Sequence, residues 1–229
     1  MLIGNSLYGI IRDYYFQKGE QTFLNSFGRL FELYFEDLTS RYLASDQYIK
    51  LPENIKGADY KLEFDNVIFI IEMKSALLSI KGKQQNPNLN TIDDFFSRNI
   101  TKAYEQLKSS CNRIEGKKPV IKLILLYENF RNIRMIENSL PEIFNNDKNC
   151  WIITIAELEI LLVTFNTDRI KFDEVLMKML ESSADRETLL NIIDKLKLSR
   201  NLPFVGEYDY FNKNLKRLAS ELGTEYKPI

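Results

Sequence analysis

Residues 57–74, GADYKLEFDNVIFIIEMK, constrain the fold of this chain more tightly than any other segment. Asp65 and Asn66 are turn formers between an alternating run and an apolar one, which predicts a tight β-hairpin. With those two residues as the loop, Phe64 faces Val67, Leu62 faces Phe69, Tyr60 faces Ile71 and Asp59 faces Glu72. Side chains alternate across a strand, so one side of the ribbon is wholly apolar and Asp59, Glu72 and Lys74 share the other. A bulge or a longer turn would flip every side chain to the opposite face. The uniformly apolar partner face argues for this register.

Like charges that face each other destabilise a sheet, and the Cβ atoms of these two carboxylates would lie roughly 5 Å apart. They need a proton, a cation or solvent between them. A divalent metal would supply the charge. Taken singly, each residue also has a structural reading: Asp59, just after Gly57, marks a strand entrance, and Glu72 with Lys74 forms an ion pair. Residues 67–71 are consecutively apolar, as in a central strand, where charges are rarely buried without partners. The three residues together therefore point to a site.

Composition narrows the chemistry available to it. The chain has 229 residues, 45% hydrophobic and 28% charged, which suits one domain with a substantial core, with or without an appendage. It contains no histidine, so Ser-His-Asp, Cys-His and HExxH zinc chemistry are excluded. There is no GxxxxGK(S/T) phosphate loop and no GxGxxG dinucleotide signature. Hydrolysis driven by carboxylates, lysine and a hard metal survives. Cys111 and Cys150 match no metal-ligand spacing and suggest buried thiols in a reducing cytoplasm. No apolar stretch reaches the roughly 20 residues of a membrane span, and the first residues do not resemble a secretory signal. With a net charge of -1 and a pI near 5.8, any nucleic-acid-binding face must be local or completed by a partner.

The rest of the chain alternates helix and strand signals. Residues 7–24 are expected to be helical, and from Asn25 an amphipathic helix carries Phe27, Leu30, Phe31, Tyr34, Phe35 and Leu38. Glu32 lies beside that stripe, as a boundary residue or aimed at the metal, with Glu36 its competitor. A short strand is expected at 47–51, an exposed loop at 79–90, and a helix from Thr91 or Ile92 to Ser109. Arg98, Lys102 and Gln106 form a polar stripe on that helix, either solvated surface or a phosphate contact. Strands follow at 120–126 and 150–155, then a helix with Leu158, Leu161 and Leu162. From about Phe172 the pattern is helical to the end, with Leu176, Met179, Leu180, Leu189, Leu190, Ile193 and Leu196 on apolar faces. The expected architecture is α/β: a central mixed sheet flanked by helices over 1–165, with a helical C-terminal extension over 166–229 packed on the core or on a partner.

The acid at Asp59, the ExK of Glu72-Met73-Lys74, the preceding Gly28-x-x-Phe31-Glu32 helix and the element order through about Leu162 resemble the PD-(D/E)xK, or restriction-endonuclease-like, superfamily. The resemblance spans roughly two thirds of the chain. Ala58 stands where the name-giving proline would be, a position that varies in that superfamily. The resemblance implies a metal-dependent nuclease using Mg²⁺ or Mn²⁺, with Asp59, Glu72 and the Met73 carbonyl as ligands. Lys74 would orient the attacking water and stabilise phosphate charge, and Glu32 would complete the first shell or hold a second metal. Arg98, Lys102 and Gln106 would meet the nucleic acid. DNA is the expected substrate, cleaved to leave a 5′-phosphate, in bacterial restriction, repair or anti-phage defence, with a protein partner or a second copy supplying recognition. An RNA-directed nuclease and a noncatalytic nucleic-acid-binding or assembly module are the alternatives.

Overall fold

The computed structural model describes residues 14, 21–52, 57–75, 94–114, 116–127, 142–181 and 188–198. Five strands form one sheet: β1 (Tyr48–Lys50), β2 (Tyr60–Glu63), β3 (Ile68–Lys74), β4 (Val120–Leu126) and β5 (Cys150–Thr154), side by side in chain order. The first three are antiparallel neighbours, and β3, β4 and β5 run parallel. The sheet is thus mixed, as expected.

The hairpin has the register expected from its residue pattern. Tyr60 pairs with Ile71 and Leu62 with Phe69, and the Phe64 amide donates to the Val67 carbonyl at 2.9 Å, closing the turn over Asp65 and Asn66. Six of the seven residues of β3 are buried because the strand lies third of five and is covered on both faces.

Two hydrophobic layers sandwich the sheet. On one face Tyr60, Leu62, Phe69, Ile71, Leu123 and Ile153 meet α1 (Gln21–Tyr42), which contributes Phe31, Phe35 and Leu38. The same layer takes in α3 (Ile155–Thr167), α4 (Arg169–Glu181) and α5 (Leu189–Lys195), through Leu158, Phe172, Val175, Met179, Leu189 and Ile193 among others. On the other face Ile68, Ile70 and Ile124 pack under α2 (Lys102–Cys111), which presents Ala103, Tyr104 and Leu107. α4 and α5 therefore share one core with the sheet, and Phe165 and Phe172 stack edge to face at 5.1 Å.

Boundaries differ from expectation where hydrogen bonding overrides pattern. Ile155 belongs to α3 rather than to β5, because Thr154 caps the helix and Glu157 returns the bond to the Thr154 amide. That reciprocal cap satisfies two donors at the helix start. Leu30, expected on the apolar stripe, is 46% exposed. The expected helix up to Ser109 reaches Cys111 and opens into a π-helical turn over Ser97–Thr101. Its start, the loop at 79–90, nearly all of the expected helix at 7–24 and the tail beyond 198 lie outside the described residues. No described helix is long and apolar enough to cross a membrane.

Candidate active site

The site forms where β2 and β3 cease to pair. The Asp59 amide donates to the Ile71 carbonyl at 2.9 Å, and its carbonyl accepts from Leu51 at 2.8 Å, so its backbone is tied to both neighbouring segments. The Asp59 side chain then accepts the Met73 amide at 2.7 Å through Oδ2. Where the ladder runs out, a carboxylate replaces the missing backbone acceptor.

Glu72 lies one residue before Met73 and only 2% of it is exposed. Its Oε1 accepts a 2.5 Å bond from Lys74 Nζ, while Oε2 is buried with no hydrogen-bond partner among the described residues. A lone buried carboxylate oxygen carries a desolvation cost of about 1–3 kcal/mol or more, so its persistence requires a compensating ligand or a proton. Burial, and next the neighbouring charge of Asp59, push Glu72 up to about 7, and Lys74 and the nearby Gln106 side chain only partly offset this. Burial also raises Asp59, against the opposing pull of the Met73 amide and Lys74. The like-charge conflict expected from the hairpin register is thus present at Glu72, which solvent barely reaches, whereas Asp59 is half-buried.

Gln106 joins these residues from α2. Its Oε1 accepts from Lys74 Nζ at 3.3 Å and its Nε2 donates to the Gly57 carbonyl at 3.1 Å. It links the lysine to the backbone just before Asp59, which fixes Lys74 between two acceptors. The stripe expected to unite Gln106 with Arg98 and Lys102 is divided: Gln106 turns half-buried toward the sheet, whereas Arg98 and Lys102 are exposed. Lys102 stands on the solvent side of α2, and the π-helical turn displaces Arg98 from the regular helical continuation.

The acids of α1 occupy other positions. Gly28 packs against Ser75, which a Cβ would meet at 3.4 Å, so α1 passes close to the end of β3. Glu32, one turn later, accepts from Arg29 at 2.7 Å and Lys50 at 3.4 Å. Its charge raises Asp59, but Glu32 is not gathered with Asp59 and Glu72 into a ligand cluster. Among the described residues no three His, Cys, Asp or Glu side chains come together to hold an ion. Glu36 accepts the Tyr60 hydroxyl at 2.7 Å on the opposite face.

No family model and no curated protein matches the sequence. Among solved structures the chain is similar to the small subunit (R.BspD6I2) of the heterodimeric restriction endonuclease R.BspD6I, at 12% identity and a TM-score of 0.46, over 73% of this chain and 88% of that one. At this level of likeness no residue role carries across.

Proposed function

We propose that this protein is a metal-dependent nuclease that hydrolyses phosphodiester bonds in DNA. The reading rests on one observation: a half-buried Asp59 against a buried Glu72 beside Lys74, with Glu72 Oε2 making no hydrogen bond among the described residues. The donor set suits magnesium or manganese, which accept as few as one or two protein carboxylates and complete their shell with water and substrate phosphate. Asp59 and Glu72, with the Met73 carbonyl, would hold the ion. Glu32 enters this scheme only through its charge, because Arg29 and Lys50 engage its carboxylate.

When bound, a divalent ion lowers the pKa of an attacking water and draws charge from the phosphate. The chain's own groups supply the remainder. Glu72 holds the Lys74 ammonium at one oxygen, and Gln106 restrains it from the other side. So placed, Lys74 orients the water and stabilises the oxygen charge that grows as the water bonds to phosphorus and the P–O3′ bond breaks. The products are a 5′-phosphate and a 3′-hydroxyl. Asp59 keeps its position through the Met73 amide, so the ligand atoms are set before any substrate arrives.

Parallel digestion of single- and double-stranded DNA and RNA, with Mg²⁺ or with chelator, tests the proposal. Wild type should cut DNA only with metal, and folded Lys74→Ala should lose about 100-fold or more. Retention of Mg²⁺-dependent cutting by that variant, or the absence of cutting of any of these substrates by wild type, would overturn it.

A further inference from the structure

Among the described residues, the end of α2 borders the β1–β2 corner of its face. Between the helix end and that corner lies a cleft of about 310 Å³, with apolar walls that include Ile49, Leu51, Ile70 and Ile114. Gly57 and Ala58 form its side next to Asp59, and Arg113 stands exposed at its rim. Arg113 donates to the Ser109 hydroxyl at 3.1 Å and, among the described residues, has no acidic partner.

The cleft and the site meet at Gly57 and Ala58, which line the cleft and directly precede Asp59. Ile70 and Glu72 lie on the same face of β3, two residues and therefore about 7 Å apart along the strand, which equals about two 3.4 Å steps of one nucleic-acid strand. The Gly57 carbonyl that accepts from Gln106 belongs to the cleft wall, so the group restraining Lys74 also borders the cleft.

We propose that this cleft receives one unpaired base, a nucleotide or two from the phosphate held at Asp59 and Glu72, while Arg113 meets the adjoining phosphate. The inference rests on the nuclease reading and deepens it, since it makes the substrate a strand with an unpaired nucleotide beside the cut. Three features select this occupant. The walls are mostly apolar, as suits a base face, and of the two cations that border the cleft Lys61 is paired with Glu63 whereas Arg113 offers a guanidinium, which pairs with phosphate. The volume lies at the low end of the ~300–1,000 Å³ of ligand pockets, which is enough for a base. A base inside a duplex cannot enter such a pocket without leaving its stack.

The test is photocrosslinking in EDTA, where no cleavage occurs, using short single strands that carry one 4-thiothymidine (DNA) or 4-thiouridine (RNA), and the same strands annealed to complements. Wild type should crosslink through the thio-base to a peptide containing Leu51 or Ile114, from DNA, RNA or both, and the annealed strands should not. Ile114→Trp, which fills the cleft, should lower the yield about five-fold or more. Arg113→Ala, an exposed change that does not threaten folding, should weaken binding several-fold and flatten its salt dependence. Crosslinks only elsewhere, equal labelling by paired strands, or an unchanged Ile114→Trp yield would overturn the proposal. Wild type that cuts with Mg²⁺ but shows no cleft crosslink removes this inference alone. A cleft crosslink from protein that never cuts removes the catalytic reading alone.

Discussion

At Glu72, stability and the proposed reactivity oppose each other. A carboxylate with a partnerless buried oxygen, beside a second carboxylate, costs the folded state whatever a neutral group of the same shape would not. Glu72→Gln keeps an acceptor for Lys74 and removes one of the two like charges. It should stabilise the metal-free protein by about 1 kcal/mol, or about 2–4 °C in melting temperature, and abolish cutting. Added Mg²⁺ should raise the melting temperature of wild type and leave that of the variant in place. A less stable variant with an undiminished Mg²⁺ shift would refute Glu72 as a ligand. That Asp59, Glu72 and Lys74 share one face was legible in the sequence because two-residue periodicity and a tight turn decide which strand side chains do so. The contact of Gln106 with Lys74 and Gly57 was not, because it depends on where α2 lies over them. Nor was the pairing of Glu32 with Lys50, which requires β1 to pass beside α1.

At the scale of elements, the ends depend on caps and contacts more than on pattern. α3 shows both effects. It begins one residue earlier than its apolar spacing suggests, through the Thr154–Glu157 cap, and it buries Glu159, whose carboxylate accepts the Tyr34 hydroxyl from α1. Burial pushes Glu159 up to about 7. The folded state therefore holds that proton more tightly than the unfolded chain does, so the associated stability is full below the ordinary carboxylate range and is lost as pH rises through about 7. Glu159→Gln should flatten this trend. Melting curves from pH 5 to pH 8 should show wild type losing ground to the variant by roughly 1–3 kcal/mol. Parallel pH profiles for the two proteins would rule out Glu159 as the source. A π-helical turn at Ser97–Thr101 had no counterpart in the sequence reading, since a widened turn leaves hydrophobic spacing nearly unchanged over so few residues.

Across the whole molecule, one apolar layer joins α1, the sheet, α3, α4 and α5. Phe172 of α4 is buried against Phe64 of the hairpin and Phe165 of α3, at ring separations of 5.1 Å in both cases. The hairpin that carries the site is thus held from behind by helices beyond residue 165. Phe172→Ala should cost about 3–5 kcal/mol, and a chain ended at Phe165 should lose its sharp denaturation transition along with its activity. A truncated chain that unfolds cooperatively at the wild-type midpoint would show that the later helices are dispensable. The local pattern of the chain determined the hairpin register, the shared face of two acids and a lysine, and the order of strands and helices, because each follows from periodicity and turn chemistry over a few residues. Only the tertiary structure decided that Glu72 loses solvent, that Gln106 restrains Lys74, that Glu32 stays with Arg29 and Lys50, and that a cleft opens beside the site. Those outcomes depend on which surfaces meet across long sequence separations, and local periodicity carries no record of them.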